Sequence, residues 1–221
     1  MHRCLLMLVL SIQIPLMAVA SAKKIVPQKK STFLPSHALI VLDPGHGGLN
    51  KGAQIKYPHT EEKRLALTTA VLTKKYLDQL GYRVMLTRST DIFIPLMRRV
   101  YVANRSHASL FVSIHFNSCP NKLAKGIEVY YHRKPKNVQC TQASKKAASI
   151  VLQKSAVRTG LSSRGVKDGN YCVIRETKMP SILVEGGFLT NPQERDKIRQ
   201  RQNLDKLAKG IAEGIDRFMK S

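Results

Sequence analysis

The sequence is poor in acid, poor in cysteine and empty of the short motifs that usually mark a site. Asp and Glu number 14 against 37 Lys and Arg, a net charge of +23. That excess implies an anionic partner, whether nucleic acid, an acidic membrane surface or an acidic polymer, and composition alone does not choose among them. The 4 cysteines include no C-x-x-C pair, and their spacing excludes a zinc knuckle. No H-E-x-x-H is present, so no local zincin motif exists. Internal repeats and low-complexity segments are also missing. What remains is ordinary for a globular protein: 43% apolar and 23% charged residues in 221 positions, enough for one domain with a core and hardly for two.

The start of the chain narrows the choice of partner. Met1-His2-Arg3 is a short positive stretch, Cys4 to Val19 is almost wholly apolar, and Ala18-Val19-Ala20 and Ala20-Ser21-Ala22 both read as cleavage sites. The apolar run is short for a membrane span and carries Gln13 and Pro15. Residues 1–22 are therefore expected to be a signal peptide and 23–37, basic and with two prolines, a tether. Residues 38–221 form the expected folded domain. Export argues against a nucleic-acid partner. It leaves Cys119, Cys140 and Cys172, for which one disulfide plus a thiol, or three thiols, are both open.

From Ala38 onward strand-like and helix-like segments alternate, the pattern of an α/β domain. The apolar run 38–42 reads as a buried strand that meets the turn Asp43-Pro44-Gly45 and delivers His46 between glycines. Helical spacing covers 61–80 and ends at Gly81. Strands are expected at 83–87, 110–114, 127–131, 171–174 and 181–184, and helices at 95–105, 141–159, 194–201 and 204–219. The strand at 110–114 delivers His115, and that at 181–184 delivers Glu185 into Gly186-Gly187.

Three strand ends thus carry groups able to bind metal or move protons: His46, His115 and Glu185. Polar groups at the same end of buried strands are costly unless they are paired or used. A fourth candidate, Glu61 or Glu62, opens the first helix, where an acid is also favourable simply beside the helix N-terminus. Two imidazoles, one carboxylate and an open position make the pattern of a catalytic zinc site. Water in that open position has its pKa lowered from about 15.7 towards roughly 7. A carboxylate off the metal can then take the proton and return it to a leaving amine, and Glu185 suits that role. Histidines 59, 107 and 132 have no such company.

The segments D-P-G-H-G-G over 43–48, G-A at 52–53, E-K at 62–63, L-T-R over 86–88, A-N at 103–104, L-F-V-S-I-H-F-N over 110–117, G-I-E-V-Y-Y over 126–131, R-G-V-K over 164–167, V-I-R over 173–175 and P-S-I-L-V-E-G-G-F-L-T-N over 180–191 occur in this order. Together they resemble the zinc-dependent N-acetylmuramoyl-L-alanine amidases of the amidase_3 type, from Ala38 to about Lys220. The resemblance implies a single-domain α/β fold, a twisted, mostly parallel sheet flanked by helices. It implies one zinc ion held by His46, Glu62 and His115, and Glu185 as the general acid/base. Glu62 is preferred to Glu61 because the family's glutamate is followed by Lys and lies at a fixed distance before the helix-ending Gly.

The reaction implied is hydrolysis of the amide between the lactyl group of N-acetylmuramic acid and L-alanine, in septal wall cleavage or in peptidoglycan remodelling and recycling. Peptidoglycan or muropeptides are the implied partners, with Arg164, Lys167, Arg175 and Asn117 as substrate contacts. A monomer is expected, divisome or activator proteins are left open as partners, and the periplasm is the expected home, with secretion as the alternative. Tyr131 to Thr141 is too short for the inserted helix that plugs the zinc site in some relatives, so an open cleft is expected. No further targeting domain or wall-binding repeat is expected either. The rival readings are a carboxypeptidase or endopeptidase acting within the peptide stem and an inactive wall-binding protein. A serine site built on Ser21-x-x-Lys24 and Arg158-Thr159-Gly160 is weaker still.

Overall fold

The computed structural model describes residues 38–221. The expected signal peptide and tether lie outside the described residues, as do Ser21 and Lys24. A six-stranded sheet runs in the order β4 (Arg83–Leu86), β1 (Leu39–Pro44), β5 (Leu110–Asn117), β8 (Ser181–Phe188), β6 (Ile127–Tyr131), β7 (Ser163–Asp168). The first four strands are mutually parallel, and β6 runs antiparallel to β8 while pairing parallel with β7. The sheet is thus mostly parallel. Its reversal has a local cause: residues 118–126, between β5 and β6, hold no helix, and a parallel return needs a crossover.

Alternation along the strands sorts side chains to two faces. Ile40, Leu42, Leu110, Val112, Ile114, Phe116, Ile182 and Val184 face the larger core. That core is filled by α1 (Glu62–Gln79), α3 (Val138–Thr159) and α6 (Arg201–Met219). Val41, Phe111 and Leu183 face the other way and meet Val100 and Ala103 of α2 (Leu96–Arg105) and Val173 and Ile174 of α4 (Cys172–Arg175). The same alternation puts His115 and Glu185 on this second, smaller face. Caps follow the sequence: the Asn137 side chain accepts from the Cys140 amide at 2.9 Å, and Gly160 closes α3 in the left-handed conformation. The remaining helix, α5 (Pro192–Ile198), is capped by Asn191.

Four elements differ from the sequence expectation. The stretch at 171–174 is the one-turn helix α4, and the neighbouring strand is β7, whose polar residues gave no apolar alternation. Within the loop after His46, residues Gln54–Ile55 (β2) and Thr60–Glu61 (β3) pair as a short antiparallel ladder. All three described cysteines are free. No helix among the described residues is long and apolar enough to cross a membrane.

Candidate metal centre

β1 ends in a turn that is held from behind. Buried Arg99 of α2 donates to Asp43 Oδ1 (2.7 Å) and to the carbonyls of Pro44 and His46 (both 2.6 Å). Buried Arg88 donates to the carbonyls of Pro44 (3.0 Å) and Gly45 (2.6 Å). Asp43 also accepts from the hydroxyls of Thr87 (2.6 Å) and Ser113 (2.8 Å). These anchors hold His46 in the left-handed region at φ 59, a conformation that a non-glycine residue keeps only when its surroundings dictate it. Gly45 is required by contact, since a Cβ there would lie 2.2 Å from His115 Cε1. Gly52 is required likewise, with a Cβ 2.5 Å from Glu62 Oε2.

His46, Glu62 and His115 converge at the carboxyl edge of β1 and β5. His115 Nδ1 lies 2.8 Å from Glu62 Oε1 and 3.2 Å from His46 Nε2, and His46 Nε2 lies 2.9 Å from Glu62 Oε1. One donor atom from each residue lies within 4.8 Å of the others, a group that could hold a metal ion. Glu62 accepts the Ala53 amide on Oε2 (2.8 Å) and the Phe116 amide on Oε1 (3.1 Å), which orients its carboxylate. Burial alone would raise the Glu62 carboxyl, but hydrogen bonds and charge from His115 and His46 hold it well below the usual carboxylate range. Burial would lower the His46 imidazole, and its bond to Glu62 together with Asn50 outweighs this and raises it. Two nitrogens and an anionic oxygen, with no sulfur, fit zinc as a catalytic rather than a structural ion.

Glu61 points elsewhere, towards Lys51 (3.3 Å), Arg64 (3.3 Å) and His59 (3.5 Å). Glu185 sits opposite His115 in the β5–β8 register and lines the same cleft as the triad. It is buried, and its Oε2 has no hydrogen-bond partner. Burial first, then the charges of Glu62 and Glu128, push its carboxyl well above the ordinary range. Asn117 and Ser118 line the cleft beside it, as do Tyr171 and Cys172.

The expected substrate contacts divide. Asn117 faces the cleft and donates to Glu128 at 3.1 Å. Arg164 and Lys167 sit on β7 and also engage Glu128. Arg175, in the last turn of α4, bonds Glu176 (2.6 Å) and Asn170 (2.8 Å). Sequence reasoning gave no role to Arg99 or Asn50. An arginine in an otherwise apolar face of α2 was the available signal for the first. Lys63 is a further anchor, reaching the Gly48 carbonyl (2.8 Å) and Asp91 (2.7 Å).

Comparison with known proteins assigns the chain to a family. A family profile described as N-acetylmuramoyl-L-alanine amidase matches residues 40–217. The endolysin of Bacillus phage SPP1 is 34% identical over 180 residues, covering 80% of this chain and 64% of the endolysin. The N-acetylmuramoyl-L-alanine amidase LytC of Bacillus subtilis is 37% identical over 175 residues, covering 79% of this chain and 34% of LytC. The chain therefore spans less than two thirds of the length of either. The solved catalytic domain of CwlV, an N-acetylmuramoyl-L-alanine amidase from Bacillus (Paenibacillus) polymyxa, superposes with a TM-score of 0.76 at 38% identity, covering 82% of this chain and 97% of that one. Profile, relatives and fold converge on one assignment, and this chain belongs to the N-acetylmuramoyl-L-alanine amidase family.

Proposed function

We propose that the chain is a zinc-dependent hydrolase that cleaves the amide between N-acetylmuramic acid and L-alanine in peptidoglycan. The observation that carries this reading is the unpartnered, buried Oε2 of Glu185 in the cleft of the His46–Glu62–His115 triad. A buried carboxylate without a partner is costly, and a proton shuttle is what such a group is suited to do. His46 Nε2, Glu62 Oε1 and His115 Nδ1 would hold the ion. When bound, it supplies Lewis acidity to the scissile carbonyl and acidifies water towards neutrality.

Glu185 takes the proton of the attacking water and delivers it to the nitrogen of L-alanine, so that the C–N bond breaks to a carboxylate and a free amine. Burial raises its carboxyl pKa, which makes it a stronger base for that proton than an exposed glutamate. Glu62 and the anchored turn keep the donor atoms in place, and Leu96 and Val173 close the apolar side of the cleft. The residues from His132 to Asn137 between β6 and α3 leave no room for an inserted plug helix, which supports an open cleft that needs no activator to clear it. The basic, apolar and small-residue pattern at 1–22 supports export, with the tether 23–37 leading into the catalytic domain in the periplasm or outside the cell.

Mass spectrometry of a purified muropeptide incubated with the mature domain tests the reaction. The expected products are the free sugar moiety and a stem peptide beginning with L-alanine. Both should vanish on zinc chelation and in Glu185→Ala. A shortened stem still attached to the sugar would replace this reading with that of a carboxypeptidase. No cleavage until a partner protein is added would remove the open-cleft part of it.

A further inference from the structure

The sheet face that carries Glu185 continues past it into a second charged cluster. Glu128 of β6 is the register partner of Glu185 across the antiparallel β6–β8 pair. It is 2% exposed, and its carboxylate accepts from Arg164 Nε (2.5 Å), Lys167 Nζ (2.6 Å), Tyr130 Oη (2.6 Å) and Asn117 Nδ2 (3.1 Å). Those four donors use the acceptor capacity of a carboxylate. The acid is saturated, yet the cations outnumber it by one.

The cations are not saturated. Arg164 meets Glu128 through Nε alone, and its terminal Nη1 and Nη2 have no hydrogen-bond partner among the described residues. Lys167 makes its one hydrogen bond to Glu128, leaving two of its three donors. Each side chain is 38% exposed. Arg164 also lies over the Phe188 ring (5.0 Å) and Lys167 over the Tyr130 ring (5.8 Å), contacts that fix their direction. An ion pair serving only to clamp β6 to β7 would be complete with one cation and no open guanidinium fork.

We propose that Arg164 and Lys167, preset by Glu128, bind a carboxylate of the peptide stem, the one carried by the residue directly after L-alanine. This rests on the amidase reading above and adds a direction to it: the stem crosses from β8 over β6 to β7. The lengths agree. Two strand spacings separate the Glu185 strand from β7, roughly 10 Å, and two residues of extended stem cover about 7 Å. The arginine and lysine side chains close the remainder. A planar fork held by one edge presents its other edge to a carboxylate in bidentate fashion.

The test is equilibrium binding to zinc-loaded Glu185→Gln protein, which retains ligand without cutting it. Two synthetic muramoyl dipeptides serve as probes, identical except that the residue after L-alanine carries a free carboxylate in one and a carboxamide in the other. The carboxylate ligand is expected to bind about tenfold more tightly, the increment of one charge-assisted hydrogen bond. Arg164→Gln and Lys167→Gln, introduced separately, should each erase most of that ratio by lowering the carboxylate affinity far more than the carboxamide affinity. Equal affinity for the two probes, binding of neither, or an equal loss for both in the variants overturns the proposal, the last being the signature of a strand clamp. Arg164→Lys, which keeps the charge and loses the fork, is expected to retain part of the preference. Failure of the amidase reading would appear separately, as intact Glu185 protein that cuts neither probe.

Discussion

Asn50 Oδ1 lies 2.8 Å from His46 Nδ1 and 3.2 Å from the Gly52 amide nitrogen. A backbone amide can only donate, so the shared atom is the oxygen and His46 carries a proton on Nδ1. The lone pair available to a metal is then the one on Nε2, the atom that faces Glu62 and His115. Asn50→Ala should weaken zinc binding by about 10–100-fold, the usual cost of losing such a supporting bond, and Asn50→Asp should retain most of it. Competition against a chromophoric chelator reads the difference. Unchanged affinity in the alanine variant would mean that the anchored turn alone orients the ring.

Gly45 offers a steric version of the same experiment. A methyl group there would lie 2.2–2.6 Å from three atoms of the His115 ring. Gly45→Ala is expected to displace His115 and abolish stoichiometric zinc binding. Metal content by atomic emission, read beside circular dichroism, separates a lost site from a lost fold.

Arg99 and Asp43 form a buried pair at 2.7 Å, with side chains 3% and 1% exposed. Arg99→Met leaves the aspartate without its cation and the His46 carbonyl without a donor, while the Pro44 carbonyl keeps Arg88. Breaking a buried pair in this way costs about 3–5 kcal/mol, to be read from denaturant unfolding midpoints. Arg99→Lys should rescue only part, because an ammonium cannot span Asp43, Pro44 and His46 together.

The pH dependence of stability should carry the mark of Glu128. Burial raises its pKa, but hydrogen bonds from Lys167, Tyr130 and Arg164 outweigh burial and hold it below its ordinary value of 4.5. A depressed carboxyl stabilises the fold fully above its ordinary value, and that contribution is lost as pH falls through the folded value. The difference in unfolding free energy between the native chain and Glu128→Gln should be flat near neutrality and shrink on acidification below the ordinary value. A difference that grows on acidification would reverse the sign of this argument.

Much of the centre was legible in the sequence because buried parallel strands are apolar runs, and the polar residues delivered at their carboxyl ends mark the edge where ligands gather. His46, His115 and Glu185 were found in that way. Glu62 was separable from Glu61 only through the family pattern, since both open the same helix; the structure shows Glu62 turned to the histidines and Glu61 to Lys51 and Arg64. The stretch Tyr171-Cys172-Val173-Ile174 misled because four apolar residues suit a strand or a helical turn equally. β7 stayed hidden for the opposite reason: Ser163-Arg164-Gly165-Val166-Lys167-Asp168 holds one large apolar side chain. Arg99 could not be read as an anchor because the turn carbonyls that it binds, those of Pro44 and His46, lie more than fifty positions earlier in the chain.

β7 is also an outer strand of the sheet among the described residues, with β4 at the opposite side. An uncovered strand is a template on which another chain can add itself, and lysine and arginine are the residues that most often prevent this. Arg164 and Lys167 therefore have a colloidal duty alongside any contact with a ligand. Replacing them with valine or leucine would build a flat apolar margin and invite aggregation that mimics loss of binding. Glutamine keeps that margin hydrophilic, and so keeps solubility apart from recognition.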